Sequence, residues 1–372
     1  MVQHGPGYEP WSPVREAMGN MSAGSRGPVI SREERQVIFE SHGRTSTAYM
    51  SLSPDLEHVA LPGEGFVAYR EKLGVRVVPG DPVSSPLGLH SLAQQMALST
   101  TRGRQTVVFA CNRTTRDAFE AEGFRSLHIG SEPVVDLGVF SSAGRRNRGL
   151  RGSINRAKRR GLTIVEYIPA AGRDTALEVE VLRVSTEWCR TKGTPELNFL
   201  VGRLDFEQVY GKRYVLCLDG DNVVGYILLY PIPGSGDVYL DHMRRSPGSP
   251  TECLDFTLCE TIDTLRREGV GRMFMGVCPF SELEEESGDP SYVRPLFEML
   301  RRPFGLVYPV KGEHGYKRKY ATSWEPRYMC YGPRVSARGL LAVLDCFCRG
   351  GIPAILAHKA SRLIPGRSGP AP

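Results

Sequence analysis

Two short polar clusters interrupt apolar stretches of the 372-residue chain. In Val238-Tyr-Leu-Asp-His-Met-Arg244 a carboxylate and a guanidinium sit inside a strand-like run. Charges are costly to desolvate unless they are paired or used on a ligand, so Asp241 and Arg244 are candidates for chemistry; the alternative is a structural ion pair at a strand end. Alternation along a strand would put Asp241 and His242 on opposite faces, and His242 alone reads as a core histidine. The second cluster is Lys317-Arg-Lys319 within Gly315-Tyr-Lys-Arg-Lys-Tyr-Ala321. Read as a strand, it puts both lysines on one face, where they repel and lower each other's pKa unless an anion lies between them. A phosphate, a carboxylate or a developing oxyanion would fit there; the alternative is an edge strand guarded by lysines.

A third cluster is larger. Residues 145–160, RRNRGLRGSINRAKRR, hold eight basic side chains: Arg145, Arg146, Arg148, Arg151, Arg156, Lys158, Arg159 and Arg160. No acid occurs between Asp136 and Glu166. The chain totals 47 Lys+Arg against 41 Asp+Glu, a net +6, so outside this segment 39 basic residues face 41 acidic ones and the whole positive surplus lies in one element. Leu150, Ile154 and Ala157 form a narrow apolar stripe, Ser141 or Ser142 is placed to cap the start, and Gly161 to stop the end. A helix docked on that stripe would fan its arginines outward, and guanidinium forks match the phosphates of an RNA backbone or of anionic lipid headgroups. The alternative is a solvated helix face.

Other chemistries lack their residues. The order of residues supports no Ser-His-Asp or Cys-His arrangement. The nine cysteines are scattered without a C-x-x-C, so no disulfide scaffold and no metal site is expected. Arg266-Arg-Glu-Gly-Val-Gly271 fits the R-x-x-G-x-G pattern of acetyl-CoA loops, but it closes a helix and leads into a strand, whereas such a loop must follow a strand and open a helix. Where that loop should lie, Arg245-Ser-Pro-Gly-Ser-Pro250 removes two N–H donors. An acyl-CoA-dependent transferase and a non-catalytic RNA-binding module stand as the competing functions.

The elements that must hold these clusters alternate. Residues 65–70 and 74–79 read as a hairpin, 85–101 as a helix, 105–111 as a strand, 114–122 as a helix and 124–137 as extended. Then come a helix over 175–192, strands over 213–218, 222–229 and 237–244, a helix over 251–268 and a strand over 272–277. Two mixed α/β units, each with hairpins and a strand-helix-strand crossover, account for this order. The expected division is a tail over 1–30, a first domain over 31–165 ending in the basic helix, a second, catalytic domain over 166–335, and a helical segment with a tail over 336–372. No stretch reaches the roughly 18 apolar residues of a spanning helix and no secretory h-region is visible, so a cytoplasmic protein is expected. Residues 340–363 read either as an interfacial membrane contact or as a helix docked on the second domain.

Taken together the clusters resemble the C-terminal catalytic domain of the aminoacyl-phosphatidylglycerol synthases. The resemblance rests on Gly80-Asp-Pro82, Gly123-Phe124, Gly130-Ser-Glu132, Val135-Asp-Leu137, Ser185-Thr-Glu-Trp188, Asp241-His-Met-Arg244, Gly276 to Pro279, Lys317-Arg-Lys319 and Trp324-Glu-Pro-Arg-Tyr328, in the family's order. It implies an α/β (α+β) fold of two tandem acetyltransferase-like (GNAT-type) mixed-sheet domains. It also implies an aminoacyltransferase that draws on aminoacyl-tRNA, with functional positions at Asp241, Arg244, Glu298, Lys317 and Lys319. An aminoacyl-tRNA ester is already activated, so no cofactor is expected. Soluble relatives in antibiotic pathways acylate small hydroxylamines, and a small soluble acceptor is ranked ahead of a lipid headgroup.

Overall fold

The computed structural model describes residues 30–100, 104–145, 147–192, 197–207, 210–281, 310–334, 336–347, 350–354 and 357. The first half runs α1 (Arg32–His42), β1 (Glu57–Leu61), β2 (Gly65–Lys72), β3 (Val75–Pro79), β4 (Val83–Ser84), α2 (Pro86–Thr100), β5 (Gln105–Cys111), α3 (Arg113–Ala121) and β6 (Arg125–Asp136). The chain continues through α4 (Arg148–Arg160), β7 (Thr163–Tyr167), α5 (Thr175–Lys192), β8 (Arg213–Asp219), β9 (Asn222–Ile232), β10 (Asp237–Arg245), α6 (Cys253–Arg267), β11 (Arg272–Phe274) and β12 (Cys278–Pro279). It ends with α7 (Val310–Lys317), β13 (Ser323–Gly332) and α8 (Ala337–Cys346).

All strands join one mixed sheet in the order β1-β2-β3-β5-β13-β6-β11-β10-β9-β8-β7, with β4 on β2 and β12 on β6. Each half holds one parallel crossover, β3-α2-β5 and β10-α6-β11, as the alternation of elements predicts. Alternate side chains explain the layers: Val75, Val77, Val107 and Phe109 meet α8 on one face, while Val78 and Val108 meet Leu92 and Met96 of α2 on the other. In the second half Tyr214, Leu216 and Leu228 face α5, while Val215, Ile227 and Leu229 face Leu258, Ile262 and Leu265 of α6.

The expected boundaries do not follow the sheet. β13 inserts between β5 and β6, so a strand after residue 320 completes the first half. β7 straddles residue 165 and pairs with β8 of the second half, and α4 packs on α6 instead of closing the first half. The long strand β6 is the seam, pairing with β13, β11 and β12. At Gly130 (φ +145°) β12 passes so close that a Cβ would lie 2.3 Å from the Cys278 carbonyl oxygen, which requires glycine there. Residues 337–346 are docked, but on the first half and not on the second domain as expected: α8 buries Leu340, Ala342, Val343 and Cys346 against β2, β3 and β5, because its apolar face meets Val75, Val77, Val107 and Phe109. No helix among the described residues is long and apolar enough to cross a membrane.

Candidate active site

Asp241 lies where β10 is irregular. The pairing of β10 with β9 shifts register between Leu240 and Met243, and this bulge turns Asp241 and His242 toward each other, Oδ2 and Nε2 3.4 Å apart, instead of onto opposite faces. The Asp241 side chain is 1% exposed. Its Oδ2 accepts the Gly202 N–H at 2.9 Å, while Oδ1 has no hydrogen-bond partner. The buried hydroxyl of Tyr230, which stacks on Tyr49, lies against this carboxylate and favours its charged form. Burial pushes the Asp241 carboxyl up to about 7, against the Arg244 guanidinium, the Gly202 N–H, the Tyr230 hydroxyl and the Lys212 ammonium.

Arg244 is buried, donates to Ser185 and lies 5.3 Å over the Trp188 ring, so its effect on Asp241 is electrostatic and not a direct orienting bond. His242 is a core histidine, as its sequence context suggested. Its Nε2 is 3.0 Å from the Gly202 carbonyl, its Nδ1 is 3.3 Å from the Tyr226 hydroxyl, and burial followed by Arg244 holds it well below its ordinary pKa.

Lys317 is not in a strand. It is the last residue of α7, buried, with Nζ 3.2 Å from the Gly276 carbonyl and an ion pair to Glu313. Burial pulls its pKa down, but Glu313, Cys278 and Glu132 outweigh burial and raise it, the reverse of what two adjacent lysines would do. An ammonium has three donors and these contacts use two. Gly276 (φ +77°) packs closely here: a Cβ at that position would lie 3.0 Å from the Tyr239 hydroxyl and 3.6 Å from Lys317 Nζ, so glycine lets the backbone approach both. Tyr239 lies between the two arms, its ring stacked 6.5 Å from Tyr230 and its hydroxyl against Gly276; burial first, then Asp241, Glu132 and Glu313, pushes that hydroxyl well up.

Behind Lys317 lies a buried ionic group built from the Gly80-Asp-Pro82, Gly130-Ser-Glu132 and Trp324-Glu-Pro-Arg-Tyr328 segments. Glu132 is fully buried, accepts from Gly276 N–H at 3.0 Å and from Ser46 at 2.7 Å, and pairs with Arg327. Arg327 also lies 3.6 Å from Asp81, which accepts from Thr47 and from the Asn112 N–H. The signal available in the sequence was an acid and a base inside strand runs, Glu132 in β6 and Arg327 in β13, while Asp81 lies in the loop after β3.

Lys319 does not join Lys317. It lies in the turn after α7, half-exposed, 3.6 Å from Asp255 and over the Tyr316 ring. Glu298 and Arg146 lie outside the described residues. The basic helix forms as expected between its apolar stripe and the αL glycine at 161, although neither serine caps it: Ser141 accepts from Ala143 N–H and Asn147 occupies the cap position. Arg145, Arg148, Arg156, Lys158, Arg159 and Arg160 are exposed and Arg151 is partly buried, bonded to the Ser142 carbonyl. Lys158 pairs with Glu260 and Arg160 with Asp219.

The R-x-x-G-x-G segment closes α6 with Gly269 at φ +81° and leads into β11, as expected. In the loop after β10 the N–H groups of Ser246, Ser249 and Cys253 are spent on Val224, Ser246 and Pro250 carbonyls, which leaves few donors for a pyrophosphate.

This two-halved mixed sheet is the fold of solved lysylphosphatidylglycerol synthase structures. The structure of L-PGS from Bacillus licheniformis superposes with a TM-score of 0.71 at 20% identity, covering 87% of this chain and 99% of that one. The C-terminal domain described as that of a lysylphosphatidylglycerol synthetase from Agrobacterium fabrum gives 0.70 at 21% identity, covering 84% and 95%. The family model "Phosphatidylglycerol lysyltransferase, C-terminal" matches residues 35–331, and the chain belongs to that family. The lysylphosphatidylglycerol biosynthesis bifunctional protein LysX of Mycobacterium marinum is 27% identical over 337 residues, 88% of this chain; that of Rhodococcus jostii is 26% identical over 315 residues. The chain spans 28% of the length of the first of these relatives and 27% of the second.

Proposed function

We propose that the chain is an aminoacyltransferase that moves an amino acid from aminoacyl-tRNA to a hydroxyl of a phosphatidylglycerol-type lipid headgroup. Family membership and the naming of the LysX relatives for lysylphosphatidylglycerol support the lipid acceptor over the small soluble one ranked first on sequence alone. The single observation that carries the chemistry is a buried carboxylate with an unbonded oxygen, Asp241 Oδ1, in the same half of the sheet as a buried lysine, Lys317, with a spare donor. An α-ammonium would satisfy Asp241 Oδ1 and hold the carboxyl ionised; the ester carbonyl would then reach toward Lys317.

In that arrangement the acceptor oxygen adds to the ester carbonyl and loses its proton to a carboxylate, with Glu298 in that role. Lys317 steadies the oxyanion, and the terminal ribose oxygen leaves with a proton as the new ester forms. Arg244 tunes Asp241 through its charge, and the basic helix holds the acceptor stem by its phosphates.

The test offers a set of radiolabelled aminoacyl-tRNAs with phosphatidylglycerol vesicles in one arm and a water-soluble cell extract in the other, with ribonuclease controls. Label entering the vesicle lipid only while the tRNA is intact is the expected result. Label entering only the soluble fraction would replace the acceptor, and label that never leaves tRNA would favour a binding module.

A further inference from the structure

Lys317 and Lys319 are two residues apart yet serve different places, and the outer place is a cleft in its own right. It encloses about 720 Å³ and is lined by Asn147, Gly149 and Ser153 of the basic helix's start, by Asp255 of α6, and by Arg318 and Lys319 of the turn after α7. We propose that this cleft is a phosphodiester subsite that receives the ribose-phosphate backbone of the RNA donor next to its esterified 3′ end, a role that rests on the aminoacyl-tRNA reading above.

Four observations carry it. Two cations, Arg318 and Lys319, face one carboxylate, and Asp255 is already held by the Tyr320 hydroxyl at 2.7 Å and by Lys319 at 3.6 Å. Arg318 is exposed and has no ion pair among the described residues, so its planar fork is available to a phosphate. Ser153 is buried, accepts from Arg156 at 3.2 Å, and has no acceptor for its own proton among the described residues. The cleft opens beside the first turn of the helix that carries the positive surplus of the chain, and the turn that carries Lys319 follows Lys317, whose ammonium donates to the Gly276 carbonyl. Lys319 in the cleft and Lys317 in the inner site are two residues apart along the chain. Leu150 supplies the one apolar side chain of the lining, which suits a nucleic-acid backbone and not the acyl chains of a lipid.

The test measures binding of 5′-fluorescein-CpCpA and of whole tRNA to the full chain by fluorescence anisotropy, with adenosine and glycerophosphoglycerol as competitors. The wild type should bind the trinucleotide, and Arg318→Ala should weaken it about tenfold, the size of one lost charge-assisted contact. Ser153→Ala should weaken it less. Adenosine, without a phosphodiester, should not compete. Arg159→Ala, at the far end of the helix, should weaken whole tRNA while the trinucleotide holds its affinity. Unchanged trinucleotide affinity in Arg318→Ala, or no trinucleotide binding by a chain that binds tRNA, overturns the subsite. Displacement by glycerophosphoglycerol at lower concentration than by unlabelled CpCpA overturns it in favour of a lipid headgroup. Trinucleotide binding that depends on Arg318 in a protein that transfers no aminoacyl group would sink the catalytic reading and leave the subsite standing.

Discussion

Asp241 carries its charge at a cost. Its carboxyl is raised from 3.8 to about 7 by burial, so the folded chain keeps a proton that the unfolded chain releases. Stability tied to this group is therefore greatest below about pH 4 and falls as pH rises to 7, by up to about 4 kcal/mol for a shift of three units. Asp241→Asn removes that dependence and can still accept the Gly202 N–H. Urea denaturation should show the variant gaining on the wild type between pH 4 and 7 and holding its gain above; an equal difference at pH 5 and pH 8 would contradict the burial argument. Transfer by the wild type should rise through pH 7 as Asp241 ionises. At this scale the sequence was informative about type and uninformative about direction. Asp241 and Arg244 stood out as charges in an apolar run, but the bulge that turns Asp241 onto His242 arises from pairing with β9, which no local spacing encodes. Lys317 and Lys319 were misread because Lys-Arg-Lys fits a strand as well as the end of a helix.

The elements bring the site together through β6 and β13. Arg327 arrives on β13, a strand whose partners Gly130 and Cys111 lie about 200 residues earlier, to neutralise Glu132 and Asp81 in a setting where all three are buried. Removing one partner leaves buried charge uncompensated. Arg327→Met should cost about 3–5 kcal/mol in chemical denaturation, and adding Glu132→Gln should recover part of that loss; strictly additive losses would show that the pair is not coupled. Gly202 sets the other arm. A Cβ there would lie 2.1 Å from the Tyr230 hydroxyl and 2.8 Å from Asp241 Oδ2, so Gly202→Ala should lower transfer by at least about tenfold while circular dichroism stays native. The two crossovers were legible because each pairs with strands nearby in sequence. β13 and β7 were not, since their places in the sheet depend on distant partners.

Across the whole molecule, the +6 resolves into a +8 segment over 145–160, six of its charges on α4, and a remainder of −2. Each phosphate held by the helix releases counterions, so replacing Arg148, Arg159 and Arg160 by serine should flatten the salt dependence of tRNA binding by about one unit of slope per lost contact. Changing Asp241 should leave that slope alone. The central claim, that the Asp241 pit and Lys317 form one aminoacyl-transfer site, meets its most direct test in the movement of labelled amino acid from aminoacyl-tRNA to phosphatidylglycerol by the wild type, Asp241→Asn and Lys317→Met at matched thermal stability. The wild type should transfer, and both variants should fall by roughly a hundredfold or more while binding tRNA as before; variants that transfer at the wild-type rate would contradict it.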